Sequence, residues 1–180
     1  ARTFFSRREN PLVMLYRINA GKIPAEHWIQ DPVVGGGRLI GEACHFVDYM
    51  QSMCGTRPTT VFAQRVGRQT SGITDDQCVI TLTFADGSVG TVIYTAGGNS
   101  GLAKERFEAH ADGKSLIMDD FQETHLYSGS QHEVFKTPKR DKGFNAEINH
   151  LVQAVQQGSP SVMSSDDMAA VTRACLLAVR

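Results

Sequence analysis

Between Cys78 and Ala96 the chain alternates in a way that few folds can accommodate. Cys78, Ile80, Leu82 and Phe84 interleave with Val79, Thr81 and Thr83; Asp86-Gly87 follows, and residues 89–96 return with the same period. A side-chain period of two belongs to a strand whose two faces meet different surroundings. Asp-Gly favours a tight hairpin, because both central positions of a type I′ turn need positive φ. The expected unit is an antiparallel hairpin. Shorter runs of the same kind at 105–111, 115–119 around Asp112-Gly113-Lys114, 123–127 and 131–135 extend it into a sheet. Upstream, Pro11 marks the change from a helix end to an extended run over 12–19.

Two other regions carry the helical period. In 41–54, Ala43, Val47, Met50 and Cys54 recur on one stripe, widened by Phe46 and Met53, before Gly55 and Pro58 stop the helix. Past Pro138 and Gly143, Ile148, Leu151, Val152 and Val155 mark a second helix. Met168, Val171, Ala174, Cys175 and Ala178 mark a third, opened by Ser164 or Ser165 with Asp166 and Asp167 in its first turn. The predicted fold is α+β: a large open, mostly antiparallel sheet with helices packed on one face. At 180 residues the chain is read as one domain over 1–180, since its nearest approach to a linker, the Gly-rich stretch 95–102, is too short to divide it.

Charge and cysteine usage exclude several function classes. Eighteen basic residues against nineteen acidic give a net charge of -1, so neither nucleic acid nor an anionic membrane is an expected partner. No apolar run approaches a membrane span, and the first ten residues lack the apolar core of a signal peptide. Cys44, Cys54, Cys78 and Cys175 are scattered among apolar neighbours and form no C-x-x-C pair, which suits free thiols and a cytoplasmic location. With no initiator Met and no tail beyond Arg180, both ends are expected to continue or to have been trimmed.

The chemistry-bearing residues cluster before and within the first helix. At 100° per residue Gly41, His45, Asp48 and Ser52 share one stripe opposite the apolar set. His45 can move a proton near neutral pH and Asp48 can orient it; the same spacing also describes a solvated helix face. Gly35, Gly36 and Gly37 with Gly41 loosely imitate a dinucleotide fingerprint, but Pro32 precedes them and the chain afterwards turns antiparallel, so they read as a tight turn or an approach loop. Glu42 with His45 and Glu147 with His150 have the spacing of carboxylate-bridged metal bundles, yet strands stand where the other helices would be needed, and no metal is expected. His27 and Trp28, in the aperiodic loop 20–34, can reach a substrate or pack on each other. Arg38 can bind an anion or form a surface salt bridge. His110, His125 and His132 read as solvent-face strand positions.

The stretch YRINAGKIPAEHWIQDPVVGGGRLIGEACHFVDYM, residues 16–50, closely resembles the C-terminal domain of the glucose-fructose oxidoreductase / inositol dehydrogenase / rhizopine catabolism (Gfo/Idh/MocA) family. Residues 143–179 resemble that family's closing helix pair, so the resemblance covers nearly the whole chain. It implies a parent enzyme with an N-terminal Rossmann domain, absent from this chain, that binds NAD or NADP. The implied activity is oxidation or reduction of a sugar, cyclitol or related polyol, and the chain alone is expected to be inactive. His45 matches the family's proton-transfer His. The family's Asp falls on Gly41, which leaves Glu42 to take or abandon that role, while Asp48 matches an orienting acid. Arg17, His27, Trp28, Arg38 and Gly41 are the implied substrate-side residues. The resemblance further implies a homodimer, or a higher homo-oligomer, through the sheet. The alternative is a non-catalytic domain that keeps the fold for dimerisation or partner binding.

Overall fold

The computed structural model describes residues 1–31, 33–66, 77–160 and 163–179. Pro32, used above to argue against a nucleotide loop, lies outside them. The alternating runs become β1 (Val13–Asn19), β2 (Pro58–Arg65), β3 (Gln77–Phe84), β4 (Val89–Thr95), β5 (Glu105–Ala111), β6 (Lys114–Asp119), β7 (Glu123–Ser128) and β8 (Gln131–Lys136). Among the described residues they form one sheet in the order β2-β3-β4-β1-β5-β6-β7-β8. All pairs are antiparallel except β1 with β4. That parallel pair at the centre follows from connectivity. Between β1 and β4 the chain makes a long excursion through α1 (Cys44–Cys54), β2 and β3, and a tight turn cannot join parallel neighbours.

Alternation sorts the two faces. Cys78, Ile80, Leu82 and Phe84 of β3 are buried together with Met14, Tyr16 and Ile18 of β1 and Val92 and Tyr94 of β4. Val79, Thr81 and Thr83 turn to the other face, so Val79 shares a face with its cross-strand partner Ile93 and not with Val92 and Tyr94. The helix α1 buries Phe46, Val47, Met50, Met53 and Cys54, the stripe read from the sequence, and each fully buried large side chain contributes about 1.5–3 kcal/mol. It ends at Gly55, whose φ of 77° lets its N–H reach the carbonyl of Gln51. A second layer comes from α3 (Ser165–Ala178), which packs on α1 and β2 and is opened by a capping box between Ser164 and Asp167. Its buried residues are Val171, Ala174, Cys175 and Ala178; Met168, read as part of that stripe, is half exposed.

The remaining helix, α2 (Phe144–Gln157), carries its apolar stripe uncovered: Phe144, Ile148, Leu151 and Val155 are 67%, 58%, 55% and 74% exposed. Helices α1 and α3 cover one sheet face as expected, and α2 does not share in that cover.

Three local readings change. The sequence pattern gives no strand signal at β2, because Thr60, Phe62 and Gln64 face solvent, Val61 and Ala63 are only half buried, and its first residue is Pro58, a position proline tolerates on an edge strand. The turn at Asp86-Gly87 is not type I′. Only Gly87 has positive φ there, since the Asp86 carboxylate is drawn back to Ser88 N and Oγ, Thr56 Oγ1 and Arg8. Consecutive residues at positive φ stand instead at Asp112-Gly113, between β5 and β6, and at Asp120-Phe121, between β6 and β7. Finally, the chain enters α1 through a wider π turn at Leu39–Ala43, which breaks the 100° phase and takes Gly41 out of step with His45, Asp48 and Ser52.

Candidate functional site

Glu42, in the π turn, gathers the ends of three strands. Its Oε1 accepts from Lys104 Nζ at 2.6 Å, and its Oε2 accepts from the hydroxyl of Tyr94, a buried residue at the end of β4. Arg38 Nη2 lies 3.4 Å from Oε2, and the same guanidinium donates to the carbonyls of Gly21 at 2.6 Å and Ala20 at 3.4 Å, beyond the end of β1. It also lies 5.2 Å from the Tyr94 ring centroid. Half-burial pushes the Glu42 carboxyl up, but the Lys104 and Tyr94 hydrogen bonds and the charges of Lys104 and Arg38 outweigh it and hold the group below the usual carboxylate range. Arg38 is therefore not part of a surface salt bridge. It is 4% exposed and bound to backbone, because the π turn directs it inward.

Beside this cluster a cavity of about 470 Å³ opens between the end of β1 and the loop joining β4 to β5. Asn19, Lys22, Gly98, Lys104 and Arg140 are among its lining residues. Asn19 shapes the loop: its Nδ2 donates to the carbonyls of Asn99 at 2.8 Å and Leu102 at 3.2 Å, while its buried Oδ1 has no hydrogen-bond partner among the described residues. A Cβ on Gly98 would stand 2.1 Å from that oxygen, so only glycine lets the loop close over Asn19. The segment before α2 is tied to the same sheet end. Lys142 Nζ meets Glu105 Oε1 at 2.5 Å, and Arg140 pairs with Asp120. Tyr16 OH completes the Glu105 carboxylate at 2.7 Å.

The structure brings together only part of the predicted set. His45 is exposed on α1, one turn beyond Glu42, and Asp48 is half buried. Burial pushes the Asp48 carboxyl up, His45 opposes this, and the neighbouring charges of Asp167 and Glu147 add to it. Arg17 lies on the open sheet face, away from α1, and its Nη1 donates to the Ala103 carbonyl at 2.6 Å, bracing the cavity wall from behind. His27 and Trp28 are exposed, with ring centroids 5.8 Å apart, and His27 Nδ1 accepts the Ile29 N–H at 3.3 Å.

The three glycines have intramolecular work. Gly35 and Gly36 N–H both donate to the Asp31 carbonyl at 2.9 Å, and Gly37 N–H to the Ile29 carbonyl at 3.0 Å. A Cβ on Gly35 would lie 2.4 Å from Ile29 Cα. The three amides close the loop on itself and leave no cradle for a pyrophosphate, so these glycines do not fit the phosphates of a nicotinamide nucleotide. At Gly41 a Cβ would come within 2.8 Å of Ile29 Cδ1, so the side-chain space at this position is filled by Ile29. Among the described residues no group of three or more His, Cys, Asp or Glu is placed to hold a metal ion. No described helix is long and apolar enough to cross a membrane.

Sequence reasoning missed Asn19, Lys22, Tyr94, Lys104 and Arg140. Their available signal was the Gly-rich stretch 95–102, weighed as a linker when it is a cavity wall.

The model of the GFO/IDH/MocA C-terminal domain matches residues 12–117. No curated protein matches the chain. Among solved structures, an oxidoreductase domain protein from Kribbella flavida superposes with a TM-score of 0.80 at 19% identity, over 99% of this chain and 59% of that one. UDP-N-acetylglucosamine 3-dehydrogenase from Acidithiobacillus ferrooxidans gives 0.74 at 20% identity, over 93% and 52%. A levoglucosan dehydrogenase complex with NADH and levoglucosan gives 0.73 at 17% identity, over 99% and 58%. These likenesses establish the fold, and the chain spans between half and three fifths of each of these relatives.

Proposed function

The chain belongs to the GFO/IDH/MocA family through its C-terminal domain, and from that premise we propose that it is the substrate side of an NAD(P)-dependent oxidoreductase acting on a sugar, cyclitol or related polyol. The observation that carries this reading is the cavity at the sheet end, walled by a glycine-rich loop and braced by the Lys104–Glu42–Tyr94 cluster one helical turn from His45. The uncovered stripe of α2 supports a further domain docked there, since four large apolar side chains more than half exposed on one helix need a cover. The nucleotide belongs to that domain.

In this reading His45 takes or returns the hydroxyl proton of the substrate, and Asp48 stabilises its charged form. Glu42, held ionised by two cations, is a poor proton acceptor and acts as the brace that fixes Lys104 and Tyr94 at the cavity edge. The open sheet face, with Phe62 68% and Val13 64% exposed, is the proposed homodimer surface; light scattering that finds a monomer at high concentration refutes that part.

Two measurements test the enzyme reading. NADH fluorescence titration of this chain alone is expected to show no binding, and micromolar affinity overturns the assignment of the nucleotide to another domain. In the enzyme with that domain attached, His45→Asn is expected to lower turnover by roughly 10²- to 10⁴-fold with NAD(P)H affinity unchanged. Unchanged turnover removes His45 from the chemistry.

A further inference from the structure

We propose that the cavity beside β1 and β4 takes an anionic sugar, one bearing a carboxylate or phosphate group, in preference to a neutral polyol. This rests on the substrate-side reading above and narrows it. Three cations, Lys22, Lys104 and Arg140, line the cavity, and no acidic side chain does so among the described residues. The carboxylates nearest to it stand behind those cations. Glu42 is shared between Lys104 and Arg38, and Asp120 pairs with Arg140. Counting the cluster, four cations (Lys22, Lys104, Arg38, Arg140) face two carboxylates (Glu42, Asp120), an excess of two positive charges at one end of the sheet.

The excess is directed into the cavity. Lys22 makes no ion pair among the described residues, and its side chain is exposed. Lys104 and Arg140 keep 35% and 46% of their side-chain surface accessible while their carboxylate partners are 21% and 8% accessible, so solvent and ligand meet the cations first. A cleft lined by one sign of charge concentrates ligands of the other sign. Gly97, Gly98, Ser100 and Gly101, which also line the cavity, have small side chains that allow a sugar ring to approach the backbone. At about 470 Å³ the cavity falls within the roughly 300–1,000 Å³ of small-ligand clefts. A neutral polyol uses the wall and leaves the cations with water, whereas a carboxylate or phosphate adds charge-assisted hydrogen bonds.

The test is an NMR titration of this chain with glucuronate, glucose 6-phosphate, glucose and inorganic phosphate, followed at the amides of Gly97, Gly98 and Ser100. Glucuronate or glucose 6-phosphate is expected to saturate these shifts at least tenfold below the concentration glucose needs, and the tighter of the two names the anionic group. Lys22→Gln, which breaks no ion pair among the described residues, is expected to weaken the charged ligand several-fold and leave glucose unchanged. Lys104→Gln is expected to do the same more strongly, with a wild-type-like spectrum elsewhere as the folding control. Equal affinity for glucose and glucuronate overturns the charge preference and leaves the substrate-side reading standing. Inorganic phosphate binding as tightly as glucose 6-phosphate overturns the proposal in favour of a bare anion site. If none of the four moves these amides, the cavity is not a sugar site and the broader reading loses its main support.

Discussion

Replacing Glu42 with Gln removes one charge from the hub that joins the π turn to the sheet while keeping the shape of the side chain. Two bonds change character: the 2.6 Å contact with Lys104 and the hydroxyl bond from Tyr94 both lose an ionised acceptor. Charge-assisted bonds contribute about 1.5–3 kcal/mol and neutral ones about 0.5–1.5, so each conversion costs roughly 1 kcal/mol. The Lys104 end is 35% accessible and partly screened, which lowers its share. Arg38, with only 5% of its side chain accessible, loses a carboxylate but keeps the Gly21 carbonyl at 2.6 Å, which limits its loss. The sum is about 2 kcal/mol, or roughly 4–8 °C in Tm for a domain of this size.

The pH dependence of that loss has a fixed sign. Glu42 is held below its ordinary value of 4.5, so its contribution is fully present above pH 4.5 and disappears as pH falls through the folded value. Urea unfolding followed by circular dichroism at a series of pH values is therefore expected to separate wild type and Glu42→Gln at pH 7 and to narrow the gap as pH falls below 4.5. Equal midpoints at pH 7, within about 0.5 kcal/mol, would refute the hub.

Lys142→Met strips the cation from Glu105, whose side chain is 2% accessible, and is expected to cost about 3–5 kcal/mol in chemical denaturation; a loss under about 1 would mean that Tyr16 alone satisfies the carboxylate. Gly35→Ala drives a Cβ to within 2.4 Å of Ile29 Cα and 2.5 Å of the Trp28 carbonyl, and is expected to cost about 3 kcal/mol. Gly21→Ala, strained only by its φ of +73° in open space, costs about 1 kcal/mol by the same measurement, and equal costs would contradict the packing argument. Burial pushes the Cys175 thiol up to about 12 and also raises Cys44 and Cys54, so a thiol reagent at pH 8 is expected to label the folded chain slowly and all four cysteines only after unfolding. Rapid labelling of Cys175 in the folded protein would contradict that burial.

The amino-acid sequence alone sets the elements whose pattern is local. The alternation at 78–84 and 89–95, the stripe of Ala43, Val47, Met50 and Cys54, the Ser164 cap and the short hairpins from 105 to 136 each follow from side-chain period and turn chemistry within a dozen residues. It also placed His45 on the solvent side of its helix. The tertiary structure decided everything that depends on which ends meet. Glu42 reads as a neighbour of His45 in sequence, yet its bonds go to Lys104 and Tyr94, 62 and 52 residues away, because the parallel pairing of β1 with β4 brings those strand ends beside the π turn. Gly35 to Gly37 read as an approach loop, yet their amides return to Ile29 and Asp31, a choice made by loop closure and invisible to spacing. The stretch 95–102 reads as a break in pattern, and only Asn19, held against it from the neighbouring strand, turns it into a cavity wall. Local period reports which face of an element is apolar; convergence of charges from distant strands is a property of sheet order, and sheet order is fixed by long-range pairing.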